Sequence, residues 1–124
     1  MYFELTRTVR TGLLCVLLLL LTACSAGTPR PEPLGVVIRA HEFQFDVPAI
    51  TARVRQTTTL RFENTGVLDH ALALDEWGVR TETVRPGQVA EVTFTPQKAG
   101  TYTFYCAVAG HLAAGMVGTL TVAP

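Results

Sequence analysis

Within eleven residues near its C-terminal end the chain sets a thiol, an imidazole and a thioether at equal intervals: Cys106, His111 and Met116, in the order Cys-x4-His-x4-Met. Soft sulfur donors beside imidazole suit copper, and two histidines with one cysteine and a weakly held methionine form a mononuclear ligand set for that metal. The run supplies three of the four. The second imidazole has to come from elsewhere, and His70 is the candidate, because it follows a predicted strand over 57–63 and opens the apolar run 71–74. Any fold of this chain must therefore carry position 70 to the side of positions 106–116.

From Leu34 onward, short β-branched and aromatic stretches alternate with Gly, Pro, Asn and Asp, which are strand and turn signals. Strands are predicted over 36–39 continuing to 45, then 49–53, 57–63, 71–74, 81–84, 89–95, 100–106 and 118–122. No segment sustains a helical period. Val89, Glu91, Thr93 and Thr95 alternate with Ala90, Val92 and Phe94, the mark of a strand with one face packed and one in water. Arg85-Pro86-Gly87-Gln88 and Pro96-Gln97-Lys98-Ala99-Gly100 read as turns, Pro fixing φ and Gly accepting positive φ. Seven or eight strands in roughly ninety residues predict an all-β, two-sheet Greek-key sandwich. In the strand over 100–106, period two puts Tyr102, Phe104 and Cys106 on one face and Tyr105 on the other.

The N-terminal side has a different texture. Arg7 and Arg10 precede an uncharged, leucine-dominated run over 11–22, a signal-peptide pattern. At about twelve residues it is shorter than the roughly 20 needed to cross a bilayer core. Its end, Leu21-Thr22-Ala23-Cys24, resembles the bacterial lipobox. That implies removal of residues 1–23 as a lipoprotein signal peptide and diacylglycerol on the sulfur of Cys24. Residues 24–33 are then the lipidated Cys24 and a stiff tether, whose nine residues 25–33, with Pro29, Pro31 and Pro33, reach up to roughly 28 Å at about 3.1 Å per residue. Residues 34–124 are the folded domain. An ordinary small-residue cleavage site beside a coincidental cysteine is the plainer alternative.

Ten Lys and Arg balance ten Asp and Glu, and loss of Arg7, Arg10 and Glu4 with the leader leaves one net negative charge. Nucleic-acid binding usually needs a basic patch or stripe, so nucleic acid is not an expected partner. Cys15 falls in the leader and Cys24 carries lipid, which leaves Cys106 as the sole thiol of the mature domain. No disulfide can form within it, and an unpaired thiol in an oxidising compartment needs burial or a metal. One small domain buries only about 60–65% of its unfolded surface, so a bound metal would add useful stability.

The ligand run, Val84-Arg85-Pro86-Gly87-Gln88, the approach from Lys98 to Cys106 and the final strand over 118–122 together resemble the cupredoxins, across essentially 34–124. Gly110-His111 and Gly115-Met116 are most similar to long-loop members such as rusticyanin, sulfocyanin and auracyanin. The resemblance implies one type 1 copper ion, with Cys106, His70 and His111 in a near-trigonal plane and Met116 as a long axial contact. It implies a monomeric electron carrier outside the cytoplasmic membrane, periplasmic or at the cell surface, held there by lipid on Cys24. Electrons would pass through the edge of His111, in an apron of Leu112, Ala113 and Ala114, with Tyr105 as a lateral route. The partners would be redox proteins such as c-type cytochromes or membrane respiratory or photosynthetic complexes. Two departures stand out. Many cupredoxins have Asn or Ser after the first histidine to tie the ligand segments together, and here the residue is Ala71. Long-loop members often have Pro before Gly-His, where this chain has Val108-Ala109, so a less rigid loop is expected.

Other classes fit less well. A copper-binding or copper-delivery module is the alternative, although a buried thiolate with two histidines and a methionine favours retention of the metal. Multicopper oxidases and copper nitrite reductases carry histidines beside the cysteine, whereas Cys106 lies between Tyr105 and Ala107. A dinuclear copper centre needs a second cysteine where Gly110 stands. Methionine is a poor ligand for zinc, and copper outcompetes zinc at such sites. A metal-free adhesion sandwich leaves the ligand pattern unexplained. His41 reads as a solvated side chain, Asp69 either orients an imidazole or faces water, and Trp77 covers the core from a loop.

Overall fold

A computed structural model describes residues 32–124. The leader over 1–23, Cys24 and most of the tether lie outside the described residues. Among the described residues, no helix is long and apolar enough to cross a membrane.

Among the described residues nine strands follow one another: β1 (Leu34–His41), β2 (Gln44–Phe45), β3 (Ala49–Arg53), β4 (Thr58–Asn64), β5 (Leu72–Leu74), β6 (Val79–Arg80), β7 (Val89–Phe94), β8 (Gly100–Cys106) and β9 (Val117–Ala123). They form a β-sandwich of two mixed sheets, in the orders β2-β1-β4-β7 and β3-β9-β8-β5-β6. The β1–β4 and β3–β9 pairs are parallel and the rest antiparallel. The all-β expectation holds, and the count exceeds seven or eight because β2 and β6 are only two residues long.

Two predicted strands need correction. The stretch over 36–45 is a hairpin rather than one strand: His41 pairs with Gln44, and the chain reverses at Glu42-Phe43, where Phe43 has φ 57°. The stretch over 81–84 is not a strand, since the edge that pairs with β5 is Val79–Arg80. Beyond it the chain is held at separate points. The Leu72 N–H donates to Thr81 Oγ1 at 2.9 Å, the Thr81 N–H to the Leu72 carbonyl at 2.9 Å, and Val84 bridges to His70. Trp77 lies in a single 3-10 turn, Asp75–Trp77, and packs on Phe94 and Tyr102 at centroid distances of 4.8 and 4.6 Å.

Alternation builds the core. Thr58, Leu60, Phe62 and Asn64 of β4 all point inward, facing Phe104 and Cys106 of β8 and Leu120 and Val122 of β9. Burying a side chain the size of Leu60 or Phe62 contributes about 1.5–3 kcal/mol. Phe104 pairs across the ladder with Gly118, whose missing Cβ leaves room for the ring. That fixes β8 two residues before the thiol. On the outer face of the four-stranded sheet, Arg39, Arg61, Glu63 and Glu91 form a run of ion pairs at 2.9–3.2 Å across β1, β4 and β7.

The sandwich has two poles. Leu34, Thr58, Gly100 and Ala123 mark one, where β1 starts and β9 ends. His41, Asn64, Cys106 and Val117 mark the other. The eight residues of β1 separate them by about 25 Å, at roughly 3.3 Å per residue.

Candidate metal centre

Cys106 ends β8 at the second pole with its side chain fully buried. Its Sγ lies 3.4 Å from Nδ1 of His111 and 3.8 Å from Nδ1 of His70. The donor atoms of the three residues all fall within 4.8 Å of one another. His70 and Met116 are fully buried, and His111 is 7% exposed. Met116 joins the cluster through the backbone: its N–H donates to the His111 carbonyl at 3.0 Å, and its carbonyl accepts from the Cys106 N–H at 3.1 Å. The four residues singled out from the sequence are thus one constellation.

Each ligand is locked by main-chain geometry. His70 exchanges two hydrogen bonds with Val84, its N–H to the Val84 carbonyl at 3.1 Å and the reverse at 2.7 Å. Between His111 and Met116 the chain turns tightly, with Ala114 N–H to the Gly110 carbonyl and Gly115 N–H to the Leu112 carbonyl, and with positive φ at Gly110 and Gly115. Ala71 cannot supply the side-chain tie that Asn or Ser would give, yet the backbone ties the two segments. The Ala107 N–H donates to the Ala71 carbonyl at 2.8 Å, and the Ala71 N–H points at Cys106 Sγ at 3.5 Å.

Two supporting residues escaped the sequence reading. Asn64, 2% exposed, donates from Nδ2 to the carbonyls of Leu68 and Val84 at 2.7 and 2.8 Å and accepts from the Gly66 N–H at 3.0 Å. It pins both the loop leading into His70 and the segment His70 bridges to. The only cue in the sequence was an Asn at a strand end followed by Thr65-Gly66. Phe43 stacks edge-on against His111, with ring centroids 5.0 Å apart and planes at 66°; nothing in the sequence marked it.

His41 and Asp69 stay outside the cluster. Leu112 is 49% exposed, and Ala113 and Ala114 are exposed beside it. Tyr105, on the opposite face from Cys106, donates its hydroxyl to Asp75 at 2.9 Å and accepts from Arg80 at 3.3 Å. The Asp75 hydrogen bond raises its pKa above the ordinary phenol value.

The residues suit a soft metal. His70 Nε2 is a buried nitrogen without a hydrogen-bond partner, an arrangement native structures rarely keep without a reason. Its Nδ1 supplies one by facing the thiol. Burial, and next the nearby His111, push the His70 pKa below its ordinary value, so the imidazole is held neutral, as a ligand must be. Two imidazoles, a thiol and a thioether with no carboxylate among them select copper over harder ions.

A family model for the cupredoxin-like domain matches residues 13–122. The chain belongs to the cupredoxin-like family. Within this cupredoxin, His70, Cys106, His111 and Met116 are arranged as a single type 1 copper site. Auracyanin-B of Chloroflexus aurantiacus is 46% identical over 44 residues, 36% of this chain and 19% of its own. The copper-resistant cuproprotein CopI of Pseudomonas aeruginosa is 54% identical over 41 residues, 33% of this chain and 23% of its own. The matches thus span about a fifth to a quarter of these curated relatives. The crystal structure of dithionite-reduced auracyanin from Roseiflexus castenholzii superposes with a TM-score of 0.67 at 27% identity, over 75% of this chain and 99% of that one.

Proposed function

We propose that this cupredoxin carries single electrons between redox proteins outside the cytoplasmic membrane, anchored there by lipid on Cys24, and catalyses no reaction of its own. The observation that carries the reading is the buried Cys106 thiol faced by Nδ1 of both His70 and His111 at 3.8 and 3.4 Å. When bound, copper supplies the one-electron chemistry by alternating between its +1 and +2 states. The chain does the rest. Backbone hydrogen bonds hold all four ligands in place, and a cage that stays put on electron gain or loss keeps the exchange fast. No ligand is more than 7% exposed, which suits a carrier, since an electron need only reach the edge of His111. His111 lies nearest the surface, under the small uncharged apron of Leu112, Ala113 and Ala114. Such a patch suits the modest contact area of transient electron-transfer partners, here c-type cytochromes or membrane respiratory or photosynthetic complexes.

The likeness to a copper-resistant cuproprotein motivates a second reading, copper binding for delivery. Retention separates the two. Residues 25–124 loaded with copper(II) should show an intense visible thiolate-to-copper band that ascorbate bleaches and that oxidised cytochrome c, added after the ascorbate is removed, restores by accepting the electron, with the metal kept against a chelator. Ready loss to the chelator would favour delivery, colourless protein would refute the carrier, and protein that takes up no copper would refute both. For the anchor, Cys24→Ser should move the protein from the membrane to the soluble fraction.

A further inference from the structure

The two-residue tip of the β1–β2 hairpin touches both histidine-bearing segments. On one side the Glu42 carboxylate accepts a hydrogen bond from the Val67 N–H, three residues before His70. The approach there is so close that a Cβ on Gly66 would lie 2.5 Å from Glu42 Oε1 and 2.9 Å from His41 Cα. On the other side Phe43 lays its ring edge-on to His111 at 5.0 Å while remaining 41% exposed. Phe43 does this from φ 57°, a conformation in which a bulky residue is an outlier and glycine is at ease. A turn chosen only to reverse the chain would carry glycine here. Strained backbone persists where the surroundings and the function require the side chain.

We propose that this tip is a clamp on the copper site, in which Glu42 holds the His70 segment and Phe43 is a positioning residue for His111. The inference rests on the copper reading above. It gives a role to contacts that the missing Asn or Ser after His70 would otherwise share, and it acts from outside the ligand loop. Edge-to-face aromatic contact is worth enough to change how readily a ligand leaves.

Phe43→Gly provides the test, because it removes the ring and relieves the backbone at once. The metal-free variant should melt no lower than the parent. Copper(I) should nevertheless pass to a bicinchoninate chelator about three- to tenfold faster, and the His111 ring resonances of the metal-free protein should shift and broaden. Phe43→Tyr, which keeps the ring, should behave like the parent in all three. Unchanged copper release with unmoved His111 resonances in Phe43→Gly overturns the clamp, as does equally fast release from Phe43→Tyr. A parent chain that forms no blue complex would instead refute the carrier reading, while the metal-free resonances would still report on Phe43.

Discussion

His70 is fully buried, and loss of hydration, followed by the proximity of His111, holds its pKa below the ordinary 6.5. The folded chain therefore takes up this proton at lower pH than the unfolded chain does. Between the two values the unfolded state binds more protons, so metal-free stability rises with pH up to about 6.5 and is lost as pH falls below it. The urea midpoint of the metal-free protein should drop as pH is lowered from about 7 to 5, and the drop should shrink in His70→Gln. Acid also weakens copper occupancy, since thiolate and neutral imidazole are the binding forms. Asn64 invites a second measurement. Asn64→Ala strips the Leu68 and Val84 carbonyls of their buried donor and should cost about 2–3 kcal/mol in urea denaturation. It should also loosen copper, because both carbonyls belong to segments that hold His70.

Among the elements, β8 bears most directly on the site, and Gly118 sets its position. A Cβ at 118 would collide with the fully buried Phe104 ring. Gly118→Ala should thus destabilise the fold by about 1–3 kcal/mol in thermal melts and alter the copper spectrum, because Phe104 lies two residues from Cys106. Strands such as β4, β7 and β8 were legible in the sequence because alternating burial writes itself into residue type. The ligand quartet was legible because thiol, imidazole and thioether are rare and their spacing carries chemistry. The hairpin tip was not, since Phe43 is a strand-favouring residue placed where the backbone wants glycine. Nor was β6, a two-residue edge. The tie at Ala71 runs between a backbone carbonyl and a backbone N–H, which leave no trace in residue identity, and Asn64 acts through its side-chain amide on carbonyls that the sequence does not single out.

At the scale of the whole molecule, two sources of stability separate cleanly. The ion pairs across β1, β4 and β7 are mostly exposed; such pairs contribute little and are screened by salt. The metal adds a term that grows with its excess over Kd, about 4 kcal/mol at a thousandfold excess. Calorimetry should accordingly show a melting temperature nearly indifferent to added salt and raised markedly by copper.

The opposed poles of the sandwich have a consequence for handling the protein. Both Leu34 and Ala123 sit about 25 Å from the thiol. A domain grafted to gold through position 34 or 123 therefore stands with its redox head outward, too distant for brisk current to the metal beneath. Adsorption head-down through Leu112 reverses the posture, so voltammetry on the two kinds of electrode reads the molecule's orientation directly.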